Sequence, residues 1–185
     1  MSAGLGRILR RAAAGGAVTP EEACRLIRIP DEGMADLLGS AAAVRDRGKG
    51  RTVTYSRKVF IPLTNYCRDH CRYCTYRKDP GDPGGWFLKP EEVLRVARAG
   101  ARLGCKEALF SLGDKPEAAF PEVRAALRRL GHRTTLEYLA AVSALVTRET
   151  PLFPHANPGL MGRADLRRLR ESNVSVGLML ESASE

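Results

Sequence analysis

The sequence predicts an α/β fold in which a parallel sheet, open or curved into a barrel, is covered by helices. Two observations lead there. From residue 58 onward strand-like and helix-like segments alternate, and the residues with unusual chemistry fall just after the strand-like ones. In folds of this kind ligands gather at the C-terminal ends of the strands. A composition of 44% hydrophobic and 28% charged residues is that of a globular chain.

A helical preface comes first. Thr19-Pro20-Glu21-Glu22 supplies a cap, a proline at the first helical position and a glutamate three residues after the cap, so a helix is expected to about Arg28. A second helix is expected over Asp31 to Leu38, and Arg45 to Gly50 reads as a linker. Residues 1–50 are therefore expected to form an extension, and residues 51–185 the main domain.

Lys58 to Leu63 is a short apolar run with β-branched and aromatic content, the first expected strand, ending near Pro62. Pro90-Glu91-Glu92 opens a helix that Gly104 stops. Glu107 to Leu112 is the second strand, with Gly113-Asp114 at its end. Helices follow over Glu117 to Leu130 and Thr134 to Arg148. Leu152 to His155 reads as a third strand before the turn Asn157-Pro158-Gly159, and a helix over Arg163 to Glu171 leads into a fourth, Val174 to Leu180.

The formal charge is +9, from 30 Lys and Arg against 21 Asp and Glu. The arginines recur along helix-like stretches (Arg95, Arg98, Arg102; Arg124, Arg128, Arg129), the pattern of solvated helix faces, so no nucleic-acid partner is expected. No apolar run approaches the roughly 20 residues of a membrane span. Met1 to Arg11 is not followed by a secretory cleavage pattern, and the expected location is the cytoplasm. Cys24 and Cys105 stand apart and read as small apolar residues.

The other three cysteines fall within eight residues, Cys67-Arg68-Asp69-His70-Cys71-Arg72-Tyr73-Cys74, with the spacing C-x3-C-x2-C. Thiolates are the usual ligands of iron–sulfur clusters, and three of them on one loop leave one iron of a cubane open to a substrate or cofactor. Zinc closes its tetrahedron with a fourth ligand, for which His70 is the nearest candidate. That second reading describes a non-catalytic zinc module.

This loop resembles that of the radical S-adenosylmethionine (SAM) superfamily, in which an aromatic residue precedes the last cysteine, as Tyr73 does here. The resemblance implies a partial TIM-type (βα) barrel, a 4Fe–4S cluster on Cys67, Cys71 and Cys74, and SAM chelated by the open iron. Tyr73 would lie beside the adenine. Gly113 and Asp114 stand where the superfamily has a Gly-Gly-Glu-Pro-like stretch facing the SAM amino group, although Leu112-Gly113-Asp114 departs from that pattern. Asn157 and Glu181, at later strand ends, are further expected ligands of SAM or substrate.

Within the superfamily the longer strings resemble the FO synthases, which make the deazaflavin of coenzyme F-420. Carrying this are Val59 to Asn65, Tyr73-Cys74-Thr75-Tyr76, Gly104 to Glu117, Pro154 to Gly159 and Gly177 to Ser182. The resemblance implies the ring-closing module, acting on a tyrosine–ribityl-pyrimidine adduct. It also implies a coupling module, possibly fused, and a reductant such as a ferredoxin or flavodoxin. The coupling module itself and a menaquinone-pathway relative are the competing enzyme readings. Four strands are fewer than the six strand–helix units usual in the superfamily, so the barrel is expected to be truncated.

Overall fold

The computed structural model describes residues 3–179. The chain divides into two compact units, Met1–Tyr55 and Ser56–Glu185.

The first unit holds α1 (Ala3–Ala13), α2 (Pro20–Leu26), a 3-10 turn (Asp31–Gly33) and α3 (Met34–Lys49). Ile8, Leu9 and Ile29 are its buried apolar side chains. The expected capping box is present at α2: the Glu22 amide donates to Thr19 Oγ1 (3.3 Å) and the Thr19 amide to Glu22 Oε2 (3.0 Å). Two expectations need correction. Helix α1 was not expected, although Leu5, Ile8, Leu9 and Ala12 repeat at helical spacing. Arg45 to Lys49 is not linker but the last turn of α3, because the run Ala41-Ala42-Ala43 favours continuing the helix until Gly50.

In the second unit β1 (Lys58–Thr64), β2 (Glu107–Leu112), β3 (Phe153–Asn157) and β4 (Ser175–Val176) form one parallel sheet in sequence order. The helices between them are α4 (Pro90–Arg102), α5 (Pro116–Ala119), α6 (Pro121–Arg129), α7 (Thr135–Glu149) and α8 (Arg163–Arg170). Period-2 alternation sorts the strand residues. Ile61 and Leu63, Ala108 and Phe110, and Pro154 and Ala156 are buried, while Lys58, Phe60, Glu107, Leu109, Phe153 and His155 lie on the opposite, less covered face. The core joins the first set to Val93, Ala97, Val123, Leu127, Leu139, Val142, Val146 and Leu169 from the helices. Each fully buried valine, leucine, isoleucine or phenylalanine among them contributes about 1.5–3 kcal/mol of transfer free energy.

At the N-terminal end of the sheet Glu107 receives Lys58 Nζ at 2.9 Å and lies 3.4 Å from His155 Nδ1. A hydrogen bond from Ser56 and then that from Lys58 hold its carboxyl down at about 2, against an ordinary value of 4.5. The cluster ties the starts of β1 and β2 to β3.

Several boundaries differ from the sequence reading. Strand β1 passes Pro62 and reaches Thr64, which a proline permits here because β1 is paired only with β2 in the described sheet. The single helix expected over Glu117 to Leu130 is two helices: Phe120 is extended, and Pro121 opens α6 as its first residue. Strand β3 runs on to Asn157, which is its last residue rather than part of the turn. Strand β4 has only two paired residues, and Leu180 of the expected fourth strand lies outside the described residues.

Candidate functional site

The cysteine loop leaves the C-terminal end of β1, where the register against β2 shifts between Pro62 and Thr64 and turns the chain before the first cysteine. Two buried polar residues anchor that turn. The Thr64 hydroxyl donates to Trp86 O (2.8 Å) and accepts from the Tyr66 amide (3.1 Å). Asn65 donates through Nδ2 to Gly84 O (2.8 Å) and accepts from the Trp86 amide at Oδ1 (2.8 Å). The Trp86 indole N–H donates to Pro62 O at 2.8 Å, so residues 84–88 fold back along the strand end. Sequence reasoning noted Thr64 and Asn65 only as part of a family-like string and gave them no anchoring role, and it passed over Trp86.

Among the cysteines Cys67 is half-buried, while Cys71 and Cys74 are exposed, and all are free thiols. Cys67 Sγ accepts the amide N–H of Asp114 at 3.2 Å and that of Asp69 at 3.4 Å. Burial pushes the Cys67 thiol up, and these two donors oppose it. Cys71 and Cys74 are joined by a backbone hydrogen bond, the Cys74 amide to Cys71 O at 3.0 Å. His70 Nε2 lies 3.1 Å from Arg77 Nη2. Among the described residues no three His, Cys, Asp or Glu side chains converge on one metal-sized point. The fit to an iron–sulfur cluster thus lies in the donor set: three free thiols on one strand-end loop, one of them already receiving the N–H donors that a cluster thiolate uses.

The second strand meets this loop at very short range. A Cβ built on Gly113 would stand 2.0 Å from Tyr66 O and 2.6 Å from Cys67 Cβ, so only glycine lets the two backbones approach this closely. The Gly113 amide donates to Thr64 O at 3.1 Å. Asp114, 7% exposed, follows at once. Its Oδ2 accepts Arg68 Nε at 2.6 Å, and its Oδ1 accepts the Leu160 amide at 3.2 Å.

Of the remaining expected site residues, Tyr73 is exposed on the loop. Asn157 stands in register with Ser111, and its amide lies against Gly177 beyond β4. The structure thus brings Cys67, Gly113 and Asp114 together at the C-terminal ends of β1 and β2, and puts Asn157 at the end of β3. Glu181 lies outside the described residues.

The family model described as the radical SAM superfamily matches residues 61–185. The chain belongs to the radical SAM superfamily. Members of this superfamily in general use a 4Fe–4S cluster and SAM.

The chain is 51% identical to an FO synthase of Nocardia farcinica, across 96% of this chain and 22% of the relative. It is 41% identical to the 7,8-didemethyl-8-hydroxy-5-deazariboflavin synthase of Methanopyrus kandleri, across 72% of this chain and 40% of that one. It therefore spans well under two-thirds of the relatives it matches. A solved structure of methylornithine synthase superposes with a TM-score of 0.67 at 22% identity, covering 94% of this chain and 46% of that one. The hydrogenase maturase HydG of Carboxydothermus hydrogenoformans gives 0.66 at 21%, covering 91% and 36%. These two likenesses bear on fold alone, a partial (βα) barrel of the radical SAM kind. No described helix is long and apolar enough to cross a membrane.

Proposed function

We propose that this chain belongs to the ring-closing module of an FO synthase, with Cys67, Cys71 and Cys74 as the cluster ligands. The observation that carries the reading is the combination of a three-thiol loop at the end of β1 with 51% identity to a protein of that name. When bound, the cluster and SAM supply a 5′-deoxyadenosyl radical that takes hydrogen from the tyrosine–ribityl-pyrimidine adduct, ahead of ring closure and loss of ammonia.

The chain's own residues hold and screen these groups. The three cysteines bind as thiolates, and the backbone N–H donors on Cys67 favour its ionised form. Tyr73 would lie beside the adenine. Gly113, Asn157 and Glu181 would line the amino-acid end of SAM or the substrate, while Asp114, next to Gly113 in the chain, has both carboxylate oxygens engaged inside the protein. Five free thiols suit a reducing compartment, in this reading the cytoplasm. A ferredoxin or flavodoxin supplies the electron, and the coupling module supplies the adduct.

A full-length synthase containing this chain, kept anaerobic and given reductant, SAM and the purified adduct, is expected to release 5′-deoxyadenosine in step with a fluorescent deazaflavin, whereas residues 1–185 by themselves are expected to give none. If the adduct gives no product while tyrosine and the diaminopyrimidine are joined to each other, the chain belongs instead to the coupling module.

A further inference from the structure

Asp114 occupies the place where a carboxylate facing the SAM amino group is expected, yet its surroundings employ it otherwise. It is joined to Arg68 twice, through the side chains (Nε to Oδ2, 2.6 Å) and through the backbone (the Arg68 amide to Asp114 O, 3.2 Å). Its own amide donates to Cys67 Sγ, the atom next to this ring of contacts. Its other carboxylate oxygen is closed off by the β3 turn: the Leu160 amide donates to Oδ1, and a Cβ on Gly159 would stand 2.6 Å from it. Gly159 has φ +78, a conformation open to glycine, so the turn brings its bare face against the carboxylate.

Lys115 completes the junction. It has φ +33, an uncommon conformation for a residue with a side chain, and its Nζ donates to Leu160 O at 2.6 Å. Asp114 and Lys115 thus grip Leu160 by its amide and its carbonyl, while Asp114 grips Arg68 on the other side. A buried carboxylate already neutralised by a guanidinium, with each oxygen occupied, has little attraction left for an ammonium group.

We propose that Arg68 and Asp114 are a positioning pair that sets the Cys67 corner of the loop, and that the Asp114 carboxylate makes no bond to SAM. The proposal rests on the reading that Cys67 is a cluster ligand. It assigns a task to Arg68, which lies between two motif positions and 46 residues from its partner.

The test uses Arg68→Gln, Asp114→Asn, the double variant and Arg68→Lys, with two readouts. One is the rate at which iodoacetamide alkylates Cys67 in the metal-free protein, read by peptide mass; the other is iron per chain after anaerobic reconstitution. Each of Arg68→Gln and Asp114→Asn is expected to speed Cys67 alkylation several-fold and lower iron per chain. The double variant should be no worse than the more affected single one, because the two act as one unit. Arg68→Lys, whose ammonium reaches as far as Nε, should stay near the parent. In the Asp114→Asn molecules that do hold a cluster, SAM should perturb the paramagnetic signal as it does in the parent. Parent-like alkylation and iron in Asp114→Asn, with the effect of SAM weakened, would overturn the pair and make Asp114 a ligand. Additive effects of the two single changes would also overturn it. A cluster retained in Cys67→Ala counts against the ligand reading alone, since alkylation of the metal-free protein decides the pair by itself.

Discussion

Replacing any one of Cys67, Cys71 or Cys74 by alanine is expected to abolish incorporation of a 4Fe–4S cluster, whereas Cys24→Ala and Cys105→Ala leave iron per chain unchanged. A cubane held by three thiolates has no spare ligand, and loss of one leaves two irons open to solvent and the remaining bonds easily displaced. No other cysteine takes part in the strand-end loop. Cys24 lies on α2 in the first unit, and Cys105 packs against the core between α4 and β2. Iron and acid-labile sulfide on anaerobically reconstituted protein measure the outcome. Full iron content in Cys74→Ala would move the ligand set elsewhere, and loss of iron in a folded Cys105→Ala would enlarge it.

Gly113→Ala is expected to come close to the same result without touching a thiol. The added methyl would have to share space with Tyr66 O and Cys67 Cβ, at 2.0 and 2.6 Å, and neither is the free end of a flexible side chain. The ends of β1 and β2 must therefore separate, which breaks the donation from the Asp114 amide to Cys67 Sγ and shifts the Arg68–Asp114 contact. Overpacking of this kind costs about 1–3 kcal/mol. The domain should still fold, with parent-like helix content by circular dichroism, a lowered melting temperature and severalfold less iron per chain. Gly39→Ala is the control. Nothing lies within 4 Å of a Cβ at that position on α3, and alanine there should be neutral or stabilising by up to about 1 kcal/mol. Parent-like iron content in Gly113→Ala would show that the close approach does not govern the loop.

What the sequence made legible was mostly local. The cysteine spacing, the glycine-ended second strand and the proline-opened helix α4 are short-range patterns. The Glu92 carboxylate indeed accepts the Lys89 amide at 2.8 Å at the start of α4. The placement of Gly113-Asp114 at the end of β2, beside the cysteine loop, followed from parallel strand–helix alternation. Other features were local yet overlooked. Pro121 marks a new helix, and the alanines of α3 argue against a linker.

The contacts that shape the candidate site are of a different kind. Arg68 and Asp114 are 46 residues apart, Asp114 and Leu160 also 46, and Asn65 and Trp86 21. No periodicity reports such pairings, because they exist only once the sheet register has brought the strand ends together. Asp114 shows the consequence. Read along the chain it is a strand-end carboxylate free to meet a ligand; in the fold its oxygens are taken by Arg68 and Leu160.

The measurement that bears most directly on the whole account is the electron paramagnetic resonance spectrum of the reduced, reconstituted protein with and without SAM. Three cysteine ligands and an open iron require that SAM change the spectrum of the cluster, and that the change disappear together with the cluster signal in Cys67→Ala. A reduced 4Fe–4S signal that SAM leaves untouched would contradict the account at its centre, since a cluster with no open iron for SAM would be a different site.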